Sequence, residues 1–201
     1  LADPSLLPLS ALSRRARREI TVVLSGDAGD ESLAGYDRHL YAGIARIIRR
    51  VSPDLSVLCR GPYRNRWTKF LRFLALDDEA AHLHQFDQLG GVDRTMLYDE
   101  DVLGRLPDPR PPAAYFHTLF AGLPEGMDWL DRLLAVDVES YLAWDILPKV
   151  DTATMAHALE CRSPFLDHRF MEFTARLPSR YKLRGGTRKY LLKRYGSRWL
   201  P

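Results

Sequence analysis

The apolar positions of this chain change their spacing from one segment to the next. Glu19 to Ser25 carries Ile20, Val22, Val23 and Leu24 in an almost unbroken run. A short run of that kind predicts a buried parallel strand. From Ser32 to Val51 the apolar residues Leu33, Tyr36, Leu40, Ile44, Ile47 and Ile48 fall near helical spacing. Strand, acidic turn and helix make half of a βαβ unit. Ser10 to Glu19, polar and rich in arginine, predicts a helix ahead of the strand. Ser52-Pro53 stops the long helix, and Trp67 to Leu76, Asp77 to Leu89 and Asp93 to Tyr98 read as short ones. Pro107, Pro109, Pro111 and Pro112 make Leu106 to Pro112 a rigid loop, before another short helix over Ala113 to Gly122.

Met127 to Trp144 is the longest amphipathic segment. Leu130, Leu134, Val138 and Tyr141 form one face, with Leu133 and Val136 beside it. Asp137 interrupts this apolar surface and is expected to have an internal partner. Asp151 or Thr152 can cap a helix carrying Met155 and Leu159, which Pro164 ends. Asp167 can cap Arg169 to Leu177, ended by Pro178, and Thr187 can cap Arg188 to Tyr195. The pattern gives one strand and about eight helices, with no internal repeat. A single strand is not a complete α/β sheet, so a longer polypeptide is expected.

The 201 residues suit one domain with enough apolar content for a core. The net charge of +3 requires no polyanionic partner. Two cysteines, Cys59 and Cys161, supply no disulfide framework, which fits a reducing, cytoplasmic setting. Apolar runs of about five residues at most cannot span a membrane as a helix.

Two segments carry the candidate chemistry. The first is Leu24-Ser25-Gly26-Asp27-Ala28-Gly29-Asp30-Glu31, where the strand ends in a small, acidic turn. Such a turn lets a metal or phosphate meet backbone amides and carboxylates together. The second is Lys149-Val150-Asp151, then Met155-Ala156-His157, then Glu160-Cys161-Arg162-Ser163-Pro164-Phe165-Leu166-Asp167-His168. It places a lysine beside an expected helix start. Together they suggest chemistry on a nucleotide.

Both segments resemble the ATP-using half of glutamine-hydrolysing asparagine synthetases. The resemblance covers Ile20 to Tyr36 and Asp137 to Tyr195, including Leu183-Arg184-Gly185-Gly186 and Lys189-Tyr190-Leu191-Leu192. One departure is Ala28, where the family usually has Gly. If that turn needs positive φ, Ala costs about 1 kcal/mol or more. The family's pyrophosphate loop, Ser-Gly-Gly-x-Asp-Ser, is not found in the sequence, nor is its glutaminase half with the nucleophilic cysteine. The resemblance therefore implies that residues 1–201 are the C-terminal part of a synthetase domain, inactive alone. Its fold would be α/β, of the adenine-nucleotide α-hydrolase-like (Rossmann-like) type, here reduced to a helix-dominated portion with about one strand.

The resemblance also implies the chemistry. A substrate carboxylate, most simply aspartate, is adenylated by ATP, and ammonia from a glutaminase domain of the same full-length chain displaces AMP. Mg²⁺ accompanies ATP. The implied metal ligand is Asp30. Ser25, Gly26, Asp27 and Gly29 would approach the nucleotide, and Asp27, a second catalytic residue, would lie beside the acyl-adenylate and help the attack of ammonia. Lys149 is the leading catalytic residue and also a nucleotide contact, since a positioned ammonium stabilises charge on phosphate and on a developing oxyanion. A plain reading stands beside each. Asp30 can cap the next helix, Asp27 and the small residues can form an ordinary turn, and Lys149 can be a solvated lysine before a helix. Glu31 supports the helix N-terminus. Arg162 and Asp167 are expected to pair across Pro164. Arg184, Arg188 and Lys189 could reach phosphate, although Gly185-Gly186 also reads as a hinge. His157 reads as a packed, hydrogen-bonded residue.

Other classes remain open. A β-lactam synthetase-like ligase usually has Tyr where Asp27 stands. A non-catalytic partner domain is made thinkable by Ala28. A basic nucleic-acid-binding module could use Arg14, Arg15, Arg17, Arg18, Arg49, Arg50 and the arginines from Arg60 to Arg66, but the near-neutral total argues against it. A homodimer is compatible with the ligase reading; a membrane partner is not expected.

Overall fold

The computed structural model describes residues 3–51, 74, 76–86, 98–105 and 112–200. Expected features that lie outside them are the Ser52-Pro53 stop, nearly all of the helix over Trp67 to Leu76, most of that over Asp93 to Tyr98, the proline loop up to Pro111, Cys59 and the arginines from Arg60 to Arg66. In chain order the described elements begin with α1 (Leu6–Ala16), β1 (Val22–Leu24), α2 (Gly29–Leu33) and α3 (Asp37–Val51). Then come α4 (Asp78–Phe86), α5 (Glu100–Arg105), α6 (Pro112–Gly122) and α7 (Trp129–Asp137). A π-helical stretch, Val138–Ile146, runs directly into α8 (Leu147–Met155). After these follow β2 (Glu160–Arg162), a 3₁₀ turn (Pro164–Leu166), α9 (His168–Arg176), α10 (Ser179–Lys182), β3 (Leu183–Arg184), β4 (Thr187–Arg188) and α11 (Tyr190–Gly196). The result is helix-dominated α/β. No described helix is long and apolar enough to cross a membrane.

The chain divides into two compact units, Leu1–Leu40 with Leu130–Pro201, and Tyr41–Trp129. In the second unit α4 packs on α6, with His82 edge-on to Phe120 at 5.9 Å. There Arg46 and Arg49 both pair with Asp78, so Arg49 is not a free member of a basic face.

The first unit contains β1. The sequence pattern predicts this strand, and the structure pairs it in parallel with β2, Val22 opposite Glu160, Val23 opposite Cys161 and Leu24 opposite Arg162. The partner strand is not evident in the sequence, because Glu160-Cys161-Arg162 reads as polar. The expected burial of β1 is corrected. Val22 and Leu24 are exposed, Leu24 at 70%, and Val23 is half-buried. In this unit α8 packs against α1 and β2, and Leu130, Leu133, Leu134, Val136 and Leu142 supply the core.

Several helix boundaries also differ from expectation, and alanine in the left-handed region causes two of them. The helix expected from Ser32 to Val51 is two helices. Ala34, at φ 57°, ends α2, and the chain turns before α3. The helix carrying Met155 ends before Ala158, at φ 55°. There Ala158 N–H bonds Met155 O at 3.0 Å and Leu159 N–H bonds Thr154 O at 3.1 Å. These two reversed bonds close a helix in the way glycine usually permits. They free Leu159 to leave the helix and lead into β2. Another difference concerns α11, which starts at Tyr190 behind left-handed Lys189 and not behind a Thr187 cap. Gly185 and Gly186, at φ 54° and 80°, form the two-residue turn of the β3–β4 hairpin, the geometry that matches strand twist. They are a hairpin turn, not a hinge. Asp167 caps α9 as expected, accepting from the N–H groups of Arg169 and Phe170.

Candidate active site

The acidic turn occupies the carboxyl end of β1, where ligands of parallel sheets bind. Ser25 N–H continues the ladder to Arg162 O at 2.9 Å, and Gly29 N–H closes the turn onto Gly26 O at 3.2 Å. Ser25 Oγ donates to Asp27 Oδ2 at 2.7 Å, and Ser163 Oγ donates to the Asp27 carbonyl at 2.6 Å. Ser25, Asp27 and Ser163 are thus brought together. A Cβ on Gly29 would touch the Phe165 ring at 3.3 Å, whereas one on Gly26 would meet nothing within 4 Å. The turn is therefore packed under Gly29 and open over Gly26.

Ala28 sits at φ 67° and is 1% exposed. The expected left-handed cost of about 1 kcal/mol or more applies. Burying its methyl gives back about 0.8 kcal/mol. The two terms nearly cancel, which accounts for alanine at a position that would otherwise favour glycine.

Asp30 lies in the first turn of α2 and does not cap it, since Ala28 holds the N-cap place. Its carboxylate pairs instead with Lys189 at 3.0 Å. The neighbouring Arg188 donates to Gly35 O at 2.8 Å and pairs with Asp37 at 2.7 Å. Arg184 reaches Tyr190 Oη at 3.3 Å. The carboxylate of Asp30 is a hard oxygen donor. Among the described residues no group of three or more His, Cys, Asp or Glu gathers as a metal cage. One or two carboxylates suit a Mg²⁺ ion that takes its remaining ligands from phosphate and water, so the donor set fits that ion.

Lys149 is not a solvated lysine before a helix. It lies inside α8, 8% exposed, and Nζ donates to Asp3 Oδ2 at 2.5 Å. Asp151 and Thr152 are likewise inside this helix and do not cap it. Burial pulls the Lys149 ammonium downward. The hydrogen bond and charge of Asp3, with Asp145 behind it, outweigh burial and hold its pKa above the ordinary lysine value. Lys149 is thus a permanent point charge at neutral pH and not a base. The hydrogen bond from Lys149, with that of Ser5 N–H, lowers Asp3 from 3.8 to about 2. Asp3 therefore binds its proton more weakly when folded. Its contribution is complete above pH 3.8 and disappears as pH falls towards 2. Melts between pH 4 and pH 2 should show a smaller acid-induced loss for Asp3→Asn than for the parent. Equal losses would remove the pair from the acid response.

A buried polar cluster stands behind the turn, and sequence reasoning found only one of its members. Asp137, fully buried, has the expected internal partners. Arg38 donates to Oδ2 at 2.9 and 3.2 Å, and His39 Nε2 lies 2.8 Å from the same oxygen. Tyr36 Oη donates to Glu31 Oε1 at 2.5 Å. Burial raises the Glu31 carboxyl above the usual range, against that hydrogen bond, and burial also pushes the Tyr36 hydroxyl up. The Arg38 guanidinium lies 3.8 Å from the Tyr36 ring centre and 5.0 Å from that of Tyr141. Tyr141 is edge-on to Tyr36 at 5.7 Å. Glu31 follows Asp30 directly, and Tyr141 is two turns before Lys149 on one continuous helical path. The cluster thus braces both candidate segments. Tyr36 beside the turn was the available signal; no pattern linked positions 38 and 39 to 137.

Two smaller expectations resolve as follows. Arg162 pairs with Glu160 at 2.6 Å on the surface, not with Asp167, which is occupied as a cap. His157 Nε2 is hydrogen-bonded to Ser10 Oγ at 2.9 Å, as a packed histidine.

Comparison with known proteins gives a consistent result. The asparagine synthase family model matches residues 1–201. Asparagine synthetase [glutamine-hydrolyzing] 1 of Bacillus subtilis is 26% identical over 215 aligned residues, covering 100% of this chain and 32% of the relative. The putative asparagine synthetase of Mycobacterium tuberculosis H37Rv is 30% identical over 207 residues, covering 96% of this chain and 30% of the relative. The asparagine synthetase of Gallus gallus is 43% identical over 81 residues, covering 39% of this chain and 13% of the relative. The chain spans about a third of the length of the first two relatives. No solved structure matches.

Proposed function

Because the chain belongs to the asparagine synthase family, we propose that it forms the C-terminal part of the ATP-using synthetase domain of an amide-forming ligase. The complete domain would be Rossmann-like, of the adenine-nucleotide α-hydrolase type. A substrate carboxylate, with aspartate the first candidate, attacks the α-phosphorus of ATP. An acyl-adenylate forms and pyrophosphate leaves. Ammonia released from glutamine by another domain of the full-length chain then attacks the acyl carbon, giving the amide and AMP. The setting is the cytoplasm, and a homodimer is compatible with this reading.

The observation that carries the reading is the acidic turn at the carboxyl end of a parallel strand, open over Gly26. In this proposal Ser25, Gly26 and Gly29 let the nucleotide approach the backbone, and Asp27 lies beside the acyl group. Asp30, with an aspartate of the family's pyrophosphate loop, would hold Mg²⁺, which offsets charge on the phosphates when bound. Lys149 supplies a positive charge that stabilises the phosphoryl charge during adenylation and the oxyanion during amide formation.

In the full-length protein Asp30→Asn should raise the magnesium requirement for pyrophosphate release and leave glutamine hydrolysis intact. Asn keeps the shape and loses the charge a hard cation needs. A magnesium titration indistinguishable from the parent's would overturn the metal role of Asp30.

A further inference from the structure

We infer that Lys189 is a built-in counter-cation for Asp30, which holds the acidic turn when no divalent ion is bound and competes with that ion for the same carboxylate. The inference rests on Asp30 being the magnesium ligand proposed above. Its basis is one ion pair and a set of contacts that fix the backbone carrying its lysine. Lys189 Nζ lies 3.0 Å from Asp30 Oδ1. Lys189 occupies the left-handed region at φ 51°, where a residue with a Cβ is disfavoured. That backbone is held by its own N–H, which donates to Leu33 O at 3.2 Å. Arg188, one residue earlier, fixes the same corner through Gly35 O at 2.8 Å and Asp37 at 2.7 Å.

Gly35 supplies the space. A Cβ at that position would collide with both the Asp30 carboxylate and Lys189 Cε. Glycine is needed here for close approach, not for its φ. The end of the β3–β4 hairpin is therefore moored to residues 33–37, with one ammonium aimed at Asp30. A lysine on solvated surface would need none of these restraints.

The pair is partly open to water, with side-chain exposure of 26% for Lys189 and 35% for Asp30. It can therefore separate. An oxygen that accepts from an ammonium has less to give a hard cation, and the lysine charge repels that cation. When an ion arrives, the flexible lysine stem can move Nζ away and leave the carboxylate to it. Lys189 is thus a positioning residue, distinct from Lys149, whose partner is Asp3.

The test uses the full-length protein and Mn²⁺ alone, without nucleotide, with free Mn²⁺ read by electron paramagnetic resonance. Lys189→Met removes the charge and keeps most of the stem. It should bind Mn²⁺ about tenfold more tightly, since an opposite charge at contact distance shifts a carboxylate's proton affinity by about tenfold or more. Lys189→Arg keeps the charge and should stay near the parent. Asp30→Asn should abolish the gain when combined with Lys189→Met. If the Met variant does not fold, Lys189→Gln reads the same competition. Tighter binding in the uncharged variants, lost in the double variant, supports the inference. Unchanged Mn²⁺ affinity in the uncharged variants, with Asp30→Asn still weakening binding, overturns it and leaves the metal role of Asp30 standing. If Asp30→Asn alone has no effect on Mn²⁺ binding, the metal role of Asp30 fails, and the inference with it.

Discussion

Asp137→Ala is expected to lower unfolding free energy by about 3–5 kcal/mol, the usual cost of removing one partner from a buried ion pair. Asp137 is fully buried, and one of its oxygens serves both Arg38 and His39. The guanidinium is further enclosed by the rings of Tyr36 and Tyr141. Alanine leaves these donors without their carboxylate in a place water reaches poorly, and adds a small cavity. Asp137→Asn keeps an oxygen in place and should lose less. Urea unfolding of both variants measures the difference. A loss below about 1 kcal/mol for alanine, the range of exposed pairs, would show that Asp137 is not the hub of the cluster.

Lys149→Met in the full-length protein is expected to slow acyl-adenylate formation by about 10²–10³-fold, the usual effect of removing a preorganised charge-stabilising donor. The structure adds a second expectation. Lys149 is buried and paired with Asp3, so its loss should also lower the melting temperature. The two effects separate through Asp3→Asn. That change removes the partner while keeping the ammonium, so it should reproduce the lower melt but little of the rate loss. Single-turnover adenylation together with thermal melts gives both values. A rate loss that Asp3→Asn matches in full would make Lys149 structural. A normal rate in Lys149→Met would remove it from the mechanism.

The legible parts of this chain are those whose signal is local. β1 was visible because four apolar residues fall within five positions. α9 was visible because Asp167 can cap its own helix from one residue away, and it does. β2 was not visible. It is three residues long with two charged side chains, and it exists through hydrogen bonds to a strand more than a hundred residues earlier. The corners at Ala34 and Ala158 were missed for a related reason. Left-handed positions are usually marked by glycine, and here alanine tolerates them. Both helix runs therefore looked longer than they are.

The candidate site divides in the same way. The resemblance to the family, carried by two local motifs, picked out Ser25, Gly26, Asp27, Gly29, Asp30 and Lys149; the pattern by itself left the plain turn, cap and surface readings beside them. The sequence also marked Asp137 as a charge on an apolar helix face. It did not reveal who answers each charge. Asp30 meets Lys189, Lys149 meets Asp3, and Asp137 meets Arg38 and His39. Local spacing and side-chain chemistry determine where strands, turns and caps can form, so those were determined by the sequence. Partner choice depends on which distant segments share a low-dielectric space, and only the tertiary structure brings those segments together.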